Sequence, residues 1–454
     1  MIADLKPYPA YKDSGVPWLG EIPAYWAIER LKSSMINVIE PTAERQVGDL
    51  YVALEHVESW TGHLRQARSD VTFDSQVKRF RSGDVLFGKL RPYLAKVTRP
   101  RSDGVCVGEF LVLRPRGSYA TAPYMEQLLR SEPVIDAINS STFGAKMPRA
   151  DWQFVGGMAV TLPPLSEQAA IVRYLDYVDR RIRRYIRAKQ KLIALLNEQK
   201  QAIIHQAVTR GLDPNVRLKS SGVAWLGDVP EHWEVSRVKA EFQCLNRRRV
   251  PLSATERGAM SLQRYDYYGA SGVIDKVDDY LFDDDLLLIA EDGANLVLRN
   301  LPLAIIAHGR FWVNNHAHIL KPKRGNLDYL SAVMETINYQ PWISGAAQPK
   351  LTQDRLMCIT LAVPPRNEQD RVIEVMQDET SALRGTIARA QREISLLREY
   401  RTRLIADVVT GKLDVRAAAA VLPEEGEAPE VLEEAPDEAE EGDESVPEDE
   451  EAET

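Results

Sequence analysis

Cysteine is scarce: Cys106, Cys244 and Cys358 are the only three in 454 residues. Their wide spacing excludes a disulfide framework and a paired-cysteine zinc site, and points to a reducing compartment, the cytoplasm. Long apolar runs are missing too. Stretches such as Leu286 to Ala290 and Ala417 to Leu422 fall far short of the ~18 residues a membrane helix needs. Asp4, Lys6, Pro7 and Pro9 crowd the start of the chain, so no signal peptide is expected. Catalytic signatures are equally absent. Gly88-Lys89 and Gly411-Lys412 are each followed by leucine, not by the hydroxyl of a phosphate-cradling loop. No GxGxxG follows a strand-like run. The two Pro-Pro sites are preceded by Leu162 and Val363, not by the asparagine of an amino-methyltransferase tetrad. No Pro-Asp…Asp/Glu-x-Lys nuclease core stands in the body. These absences argue against an enzyme.

What is present is uneven in charge. The formal net charge is −9, yet residues 417–454 hold 17 acidic residues and no lysine or arginine. The remaining 416 residues carry 57 basic against 49 acidic side chains. The body is basic, and the acidic tail, with several prolines and no aromatic, is expected to be disordered.

A tandem repeat organises the body. SGVPWLGEIPAYWAIERLK (Ser14 to Lys32) recurs as SGVAWLGDVPEHWEVSRVK (Ser221 to Lys239), identical at 10 of 19 positions. PPLSEQ (Pro163 to Gln168) recurs as PPRNEQ (Pro364 to Gln369). Gly144, Ala145 and Pro148 match Gly345, Ala346 and Pro349, and Val208-Thr209 matches Val409-Thr410. Each copy opens with short runs rich in Val, Phe, Tyr and Thr between turn signals. VLFGKL (Val85 to Leu90), VCVGEFLVLRP (Val105 to Pro115) and GGMAVTLPP (Gly156 to Pro164) read as strands. So do DLLLIAEDG (Asp285 to Gly293), LAIIAHG (Leu303 to Gly309) and FWVNNHAHILKP (Phe311 to Pro322). Each copy closes with a long helix, which Ser166, Glu167 and Gln168 are placed to cap in the first copy. A 4,3 spacing runs through Ile171, Leu175, Val178, Ile182, Tyr185, Lys189, Leu192, Leu196, Gln199 and Ile203. Its counterpart is Val372, Met376, Glu379, Leu383, Thr386, Ala390, Glu393, Leu397, Tyr400 and Leu404. A stripe this narrow predicts a heptad seam, with the two helices as partners for each other rather than folded back on their own domains. The expected fold is α+β: two globular domains separated by two long helices in an antiparallel coiled coil, with an internal pseudo-two-fold repeat. The segments are 1–162 (first domain), 163–213 (helix), 214–363 (second domain), 364–416 (helix) and 417–454 (tail).

Candidate binding residues are basic and aromatic. In the first copy Lys78, Arg79, Arg81, Lys89, Arg91 and Lys96 interleave with Phe80, Phe87 and Tyr93, and Lys146 and Arg149 sit in a nearby turn. In the second, Arg247, Arg248 and Arg249 precede Arg264, Tyr267 and Tyr268. Lysine and arginine neutralise phosphates, whereas Asn, Asp and aromatic groups read base edges. Asp292, Asn295, Asn314, Asn315, His316 and Lys350 complete the candidates. His316 and His318, with His308 or an acid from Asp283 to Asp285, offer a metal-site alternative, but no ligand spacing supports it. Glu291-Asp292 fits a turn or a base-reading pair better than an acid–base couple. Trp18, Leu19, Ile22 and Trp26, with Trp225, Leu226, Val229 and Trp233, are expected to pack rather than to touch DNA.

The repeated SGVxWLGxxPxxW box, the PPxxEQ start of each long helix and the split into two domains together resemble the specificity subunits of type I restriction–modification systems. The resemblance covers residues 11 to about 414. GDVLFGKLRPYLAKV (Gly83 to Val97) and WVNNHAH (Trp312 to His318) look like parts of that family's target recognition domains, whereas the acidic tail has no counterpart there. The resemblance implies a non-catalytic subunit whose two domains each dock on one half of a bipartite double-stranded DNA site. It also implies that Ile171, Leu175, Val178, Ile182 and Leu196 pair with Val372, Met376, Leu383, Leu397 and Leu404 to set the distance between half-sites. Two modification (methyltransferase) subunits would grip the helices and restriction (motor–nuclease) subunits would join for cleavage. No cofactor would belong to this chain; S-adenosylmethionine, ATP and magnesium would serve the partners. The divergence of the two domains implies a target with two unlike halves. Competing readings are a single-chain restriction enzyme, a coiled-coil linker and a solitary DNA-binding regulator.

Overall fold

The computed structural model describes residues 5–43, 46, 48–65, 76–142, 147–299, 301–345 and 349–423. They fall into two units, one comprising residues up to Lys189 and from Arg392 onward, the other Gln190–Gln391. The long helices, Leu165–Arg210 and Arg366–Val409, each contribute one half to each unit.

In the first unit a four-stranded antiparallel sheet runs in the order Met35–Val38, Phe110–Pro115, Val85–Gly88, Val97–Thr98. Alternating β-branched and aromatic residues bury Val38, Phe110, Val112 and Leu86 against Val52, Phe80 and Cys106 of a second sheet. Cys106 is thus a packing residue, and burial pushes its thiol up to about 12. The second sheet orders Pro41–Thr42, Val77–Phe80, Gly104–Cys106 and Leu50–Val52, with its last pair parallel. In the other unit the antiparallel sheet Phe242–Cys244, Ala317–Pro322, Leu286–Ala290, Ala304–Ala307 repeats the first unit's order and pairing sense. Its companion does so in three strands and differs at the fourth. There a hairpin, Tyr265–Gly269 with Gly272–Val277, joins Arg310–Val313 in parallel, and Phe282–Asp283 closes the edge.

The repeated motifs clamp helix ends. In the first unit Trp26 is buried, and its indole Nε1 donates to Glu167 at 3.1 Å. The hydroxyls of Tyr8 and Tyr25 bond the same carboxylate. In the other unit Trp233 donates to Glu368 at 3.0 Å, beside His232 at 2.7 Å. The neighbouring glutamine of each motif crosses to the domain. Gln168 accepts from Thr121 N and donates to Pro163 O; Gln369 accepts from Asn326 N and donates to Pro364 O. Each tryptophan also faces the end of the other long helix. Gly411, with φ +80°, abuts Trp26, and Gly211, with φ +75°, abuts Trp233. A side chain there would be strained by the left-handed backbone and would press on the indole or the proline beside it. Tyr124 donates to Val409 O near one helix end, and Tyr329 to Val208 O near the other. In each unit the domain therefore holds the start of one helix and the end of the other, which makes their halves antiparallel. Asp179 meets Arg401 at 3.6 Å and Lys189 meets Glu393 at 2.7 Å, both within the first unit.

Two sequence expectations change. The first helix starts at Leu165, so Ser166 lies inside its first turn rather than capping it. The seam is not a strict heptad. Ile171, Leu175, Val178 and Ile182 are buried, but Ile186 and Ile193 follow in place of Tyr185 and Leu192, which are 53% and 38% exposed. In the second helix Val372, Ile387, Ala390, Ile394 and Leu404 are buried, while Tyr400 is exposed. Met376, Leu383, Leu397 and, on the first helix, Leu196 are half-buried. The steps from 171 to 182 to 193, and from 372 to 383 to 394, follow an eleven-residue rhythm, close to the 3.6 residues of an unstrained turn. The heptad reading fails because a nearly straight helix drifts about 20° per heptad, which carries Tyr185 and Leu192 out to solvent.

Candidate nucleic-acid interface

Both repeated sheets end in the same local construction. In the first unit the chain leaves Val85–Gly88 into a finger, Lys89 to Ala95, in which Arg91 and Ala95 adopt positive φ. Three backbone bonds fix the finger's base. Lys89 N donates to Glu109 O (2.9 Å), Ala150 N to Lys89 O (2.8 Å) and Arg91 N to Pro148 O (2.8 Å). In the other unit the finger after Leu286–Ala290 repeats all three. Glu291 N donates to His316 O (2.9 Å), Leu351 N to Glu291 O (2.7 Å) and Gly293 N to Pro349 O (3.1 Å). Leu90 bridges Arg149 as Asp292 bridges Lys350. The backbone register is thus the same at both platforms, and the side chains differ at almost every position.

On the first platform Arg149 forms a two-pronged pair with Glu109, Nε to Oε2 at 3.2 Å and Nη2 to Oε1 at 3.3 Å. Lys89 and Arg91 are half-buried beside it and Tyr93 is exposed. On the second, His316 Nδ1 lies 2.9 Å from both Asp292 oxygens. The carboxylate raises the His316 pKa above the ordinary histidine value, outweighing partial burial. Behind it Glu291 sits among Arg249 (2.5 Å), Lys350 (3.4 Å) and His318 (3.5 Å). Burial alone would raise the Glu291 carboxyl, but these neighbours hold it below the usual range. His318 is fully buried. Its Nδ1 accepts from Asn246 and its Nε2 donates to Leu351 O, and burial lowers its pKa.

Several sequence candidates take other places. Tyr267 is 1% exposed, under the stacked Arg257 guanidinium, because the hairpin turns its ring inward; it is a core residue, not a DNA contact. Lys78 is half-buried and donates to Gly108 O and Phe110 O, and burial lowers its pKa, so it ties two strands rather than a phosphate. Arg79 pairs with Asp49. Arg249 spends its guanidinium on Glu291, Asn315 O and Ala317 O, and Asn295 staples its loop through Leu301. Asn314 is buried, its side chain accepting from His316 N. Tyr268 packs edge-on against Phe311, and Arg248 lies over Phe282. Arg81, Arg247, Arg264, Asn315 and Lys350 are exposed. Lys146 lies outside the described residues. Glu109 was missed by sequence reasoning; the signal was its place one residue before a strand, where the second copy has His316.

The metal alternative does not assemble. His318 points into the core, His316 faces Asp292, and His308 pairs with Asp285. Among the described residues no three potential ligands converge, and no helix is long and apolar enough to cross a membrane.

Residues 230–389 match the family described as "Type I restriction modification DNA specificity domain". A Haemophilus influenzae protein assigned as a type I restriction enzyme specificity subunit is 31% identical over 134 residues, 29% of this chain and 33% of that one. The Escherichia coli type I restriction enzyme EcoDI specificity subunit is 25% identical over 167 residues, 35% of each chain. The matches thus span about a third of the length of these relatives. A solved structure described as the "structural basis underlying complex assembly and conformational transition of the type I R-M system" shares the fold. Its TM-score is 0.61 at 17% identity, covering 86% of this chain and 99% of that one.

Proposed function

We propose that the chain, like the proteins it resembles, is a specificity subunit of a type I restriction–modification system, and that it reads an asymmetric two-part DNA sequence without catalysing a reaction itself. Each domain contacts one half-site through its platform. Two methyltransferase subunits dock on the long helices and restriction subunits join for cleavage, bringing S-adenosylmethionine, ATP and magnesium chemistry with them. The observation that carries this reading is the pair of platforms, identical in backbone register and unlike in side chains. That is the arrangement expected when one scaffold presents two different sequence readers. The basic body supplies the sequence-independent attraction to phosphates.

Methylated adenines are to be mapped in the host genome with and without the gene. A two-part motif that vanishes with the gene is the expected result. Co-purification from the host separates the subunit from a solitary regulator, because large partners come down with a subunit. Binding of the assembled complex to its site should weaken steeply with salt and be indifferent to chelator. A chelator-sensitive equilibrium would restore a metal at His316.

A further inference from the structure

Three side-chain positions converge on each platform: the finger (Leu90, Asp292), the residue leading the long strand (Glu109, His316) and the bridge partner (Arg149, Lys350). Both triads contain one cation–carboxylate pair, but the roles are exchanged. In the first unit the strand-leading residue is the carboxylate and the bridge partner the cation. In the second the finger supplies the carboxylate and the strand-leading residue the cation, while Lys350 turns to Glu291.

A purely structural role accounts poorly for these pairs. The Arg149 and His316 side chains are 48% and 49% exposed, where ion pairs add little stability. The platforms are already held by backbone bonds. Phosphate neutralisation fits poorly as well, since each cation comes with a carboxylate that repels the DNA backbone. A carboxylate that fixes the direction of a donor is, however, what base reading needs. Arg149 spends Nε and Nη2 on Glu109, which leaves Nη1 on a half-exposed side chain; His316 spends Nδ1 on Asp292, which leaves Nε2.

We infer that Arg149, oriented by Glu109, and His316, oriented by Asp292, are the specificity-determining donors of the two halves. Each gives one hydrogen bond to an acceptor on a major-groove base edge, a purine N7, guanine O6 or thymine O4. This rests on the two-reader function proposed above. The two donors differ in one respect. Arg149 is charged at every working pH, whereas His316 donates from Nε2 only while protonated, its Nδ1 hydrogen being committed to Asp292. The charged groups around the His316 ring are Asp292 and Glu291 from the finger, Lys350 from the segment bridging it, and Arg249 bonded to Asn315 O and Glu291. Asp292 is the nearest of these and keeps the ring protonated to higher pH than a free histidine.

The test uses the assembled modification complex carrying the wild-type chain, Glu109→Gln, Arg149→Gln, Asp292→Asn or His316→Gln, with exposed Arg101→Gln as control. Methylated sites are mapped base by base, and affinity is measured on the mapped site and its single-base variants on the acid and alkaline sides of neutrality. The first two variants should relax one position of one half-site, and the next two one position of the other. Discrimination at that position should fall roughly 5- to 150-fold. In the wild type, discrimination in the second domain's half should weaken as pH rises, that of the first should not, and His316→Gln should abolish the difference. Variants that weaken all sequences alike, with recognised bases unchanged, would mark phosphate contacts and overturn the inference, as would pH-independent discrimination in both halves. A variant that melts early is set aside, and the wild-type pH comparison then decides. A wild-type map with no two-part motif would sink the two-reader function itself, a different result from unchanged motifs in the variants.

Discussion

The two repeated sheets and their two companions differ in how far the copies agree. Met35–Val38 with its three partners and Phe242–Cys244 with its three share strand order and every pairing sense. The companion sheets agree in three strands, Val77–Phe80, Gly104–Cys106 and Leu50–Val52 matching Phe282–Asp283, Arg310–Val313 and Tyr265–Gly269 in order and pairing sense, and differ in the fourth, which adds to opposite edges. The repeated sheet ends in the platform, and the same domain carries the tryptophan box that grips the helices. A slipped register would turn its side chains to the wrong face and move the finger with it. The companion sheet only has to cover one apolar face, which many topologies do. The copies therefore agree throughout the sheet that carries the platform and differ only at the outer edge of the sheet that covers it.

The largest effect that could break this view concerns the clamps. Trp26→Ala and Trp233→Ala each remove a fully buried indole and one of the donors to a glutamate, and should cost about 3–5 kcal/mol. Calorimetry of the two variants should show losses of similar size if the frames are equivalent. A large loss for one and almost none for the other would mean that the repeat is only a sequence relic.

A smaller effect sharpens the seam. Ile193→Ala empties a buried position and should cost about 2–3 kcal/mol, whereas Leu192→Ala should stay within ~0.5 kcal/mol. Chemical unfolding of both variants decides between the eleven-residue and seven-residue patterns. The reverse order would restore the heptad.

Much of this frame was legible in the sequence, because repeats and periodicity report burial directly. The box tryptophans, the long helices and the central strands of each repeated sheet, Val85–Gly88 and Phe110–Pro115 with Leu286–Ala290 and Ala317–Pro322, follow from composition and spacing. Glu167 and Glu368 read only as first-turn acids, since their bonds to Trp26 and Trp233 span 141 and 135 residues. The binding residues were less legible for a physical reason. A lysine run does not tell whether an amine reaches solvent or, like that of Lys78, a pair of backbone carbonyls. Tyr267 sits in an alternating strand whose inward face only the hairpin register reveals. The Glu109–Arg149 pair depends on a β-bridge between distant segments, which neither segment announces.

The smallest expected effect compares the two helix ends. The first long helix runs through Gly211 into the next domain, whereas the second continues into an acidic stretch. The sequence places that tail from residue 417, yet Arg416–Ala420 is helical, Ala419 is buried, and Leu422 O accepts from Arg173 at 2.8 Å. Arg416 lies 5.2 Å over the Tyr8 ring and pairs with Asp414. A cut after Arg416 would therefore strip packing as well as charge, and the informative deletion begins after Pro423; residues 424–454 lie outside the described ones. Those residues hold all 17 of the tail's carboxylates. Tethered to a basic body, they would compete with DNA phosphates at high effective concentration. Competition acts most on weak random-sequence binding and least on a cognate site with base contacts to add. Deletion should tighten binding to random DNA more than to the cognate site at low salt, and the gap should close as salt screens the tail. Equal affinities of full-length and shortened protein for random DNA at low salt would reduce the tail to a solubility device and leave the contrast between the helix ends without functional weight.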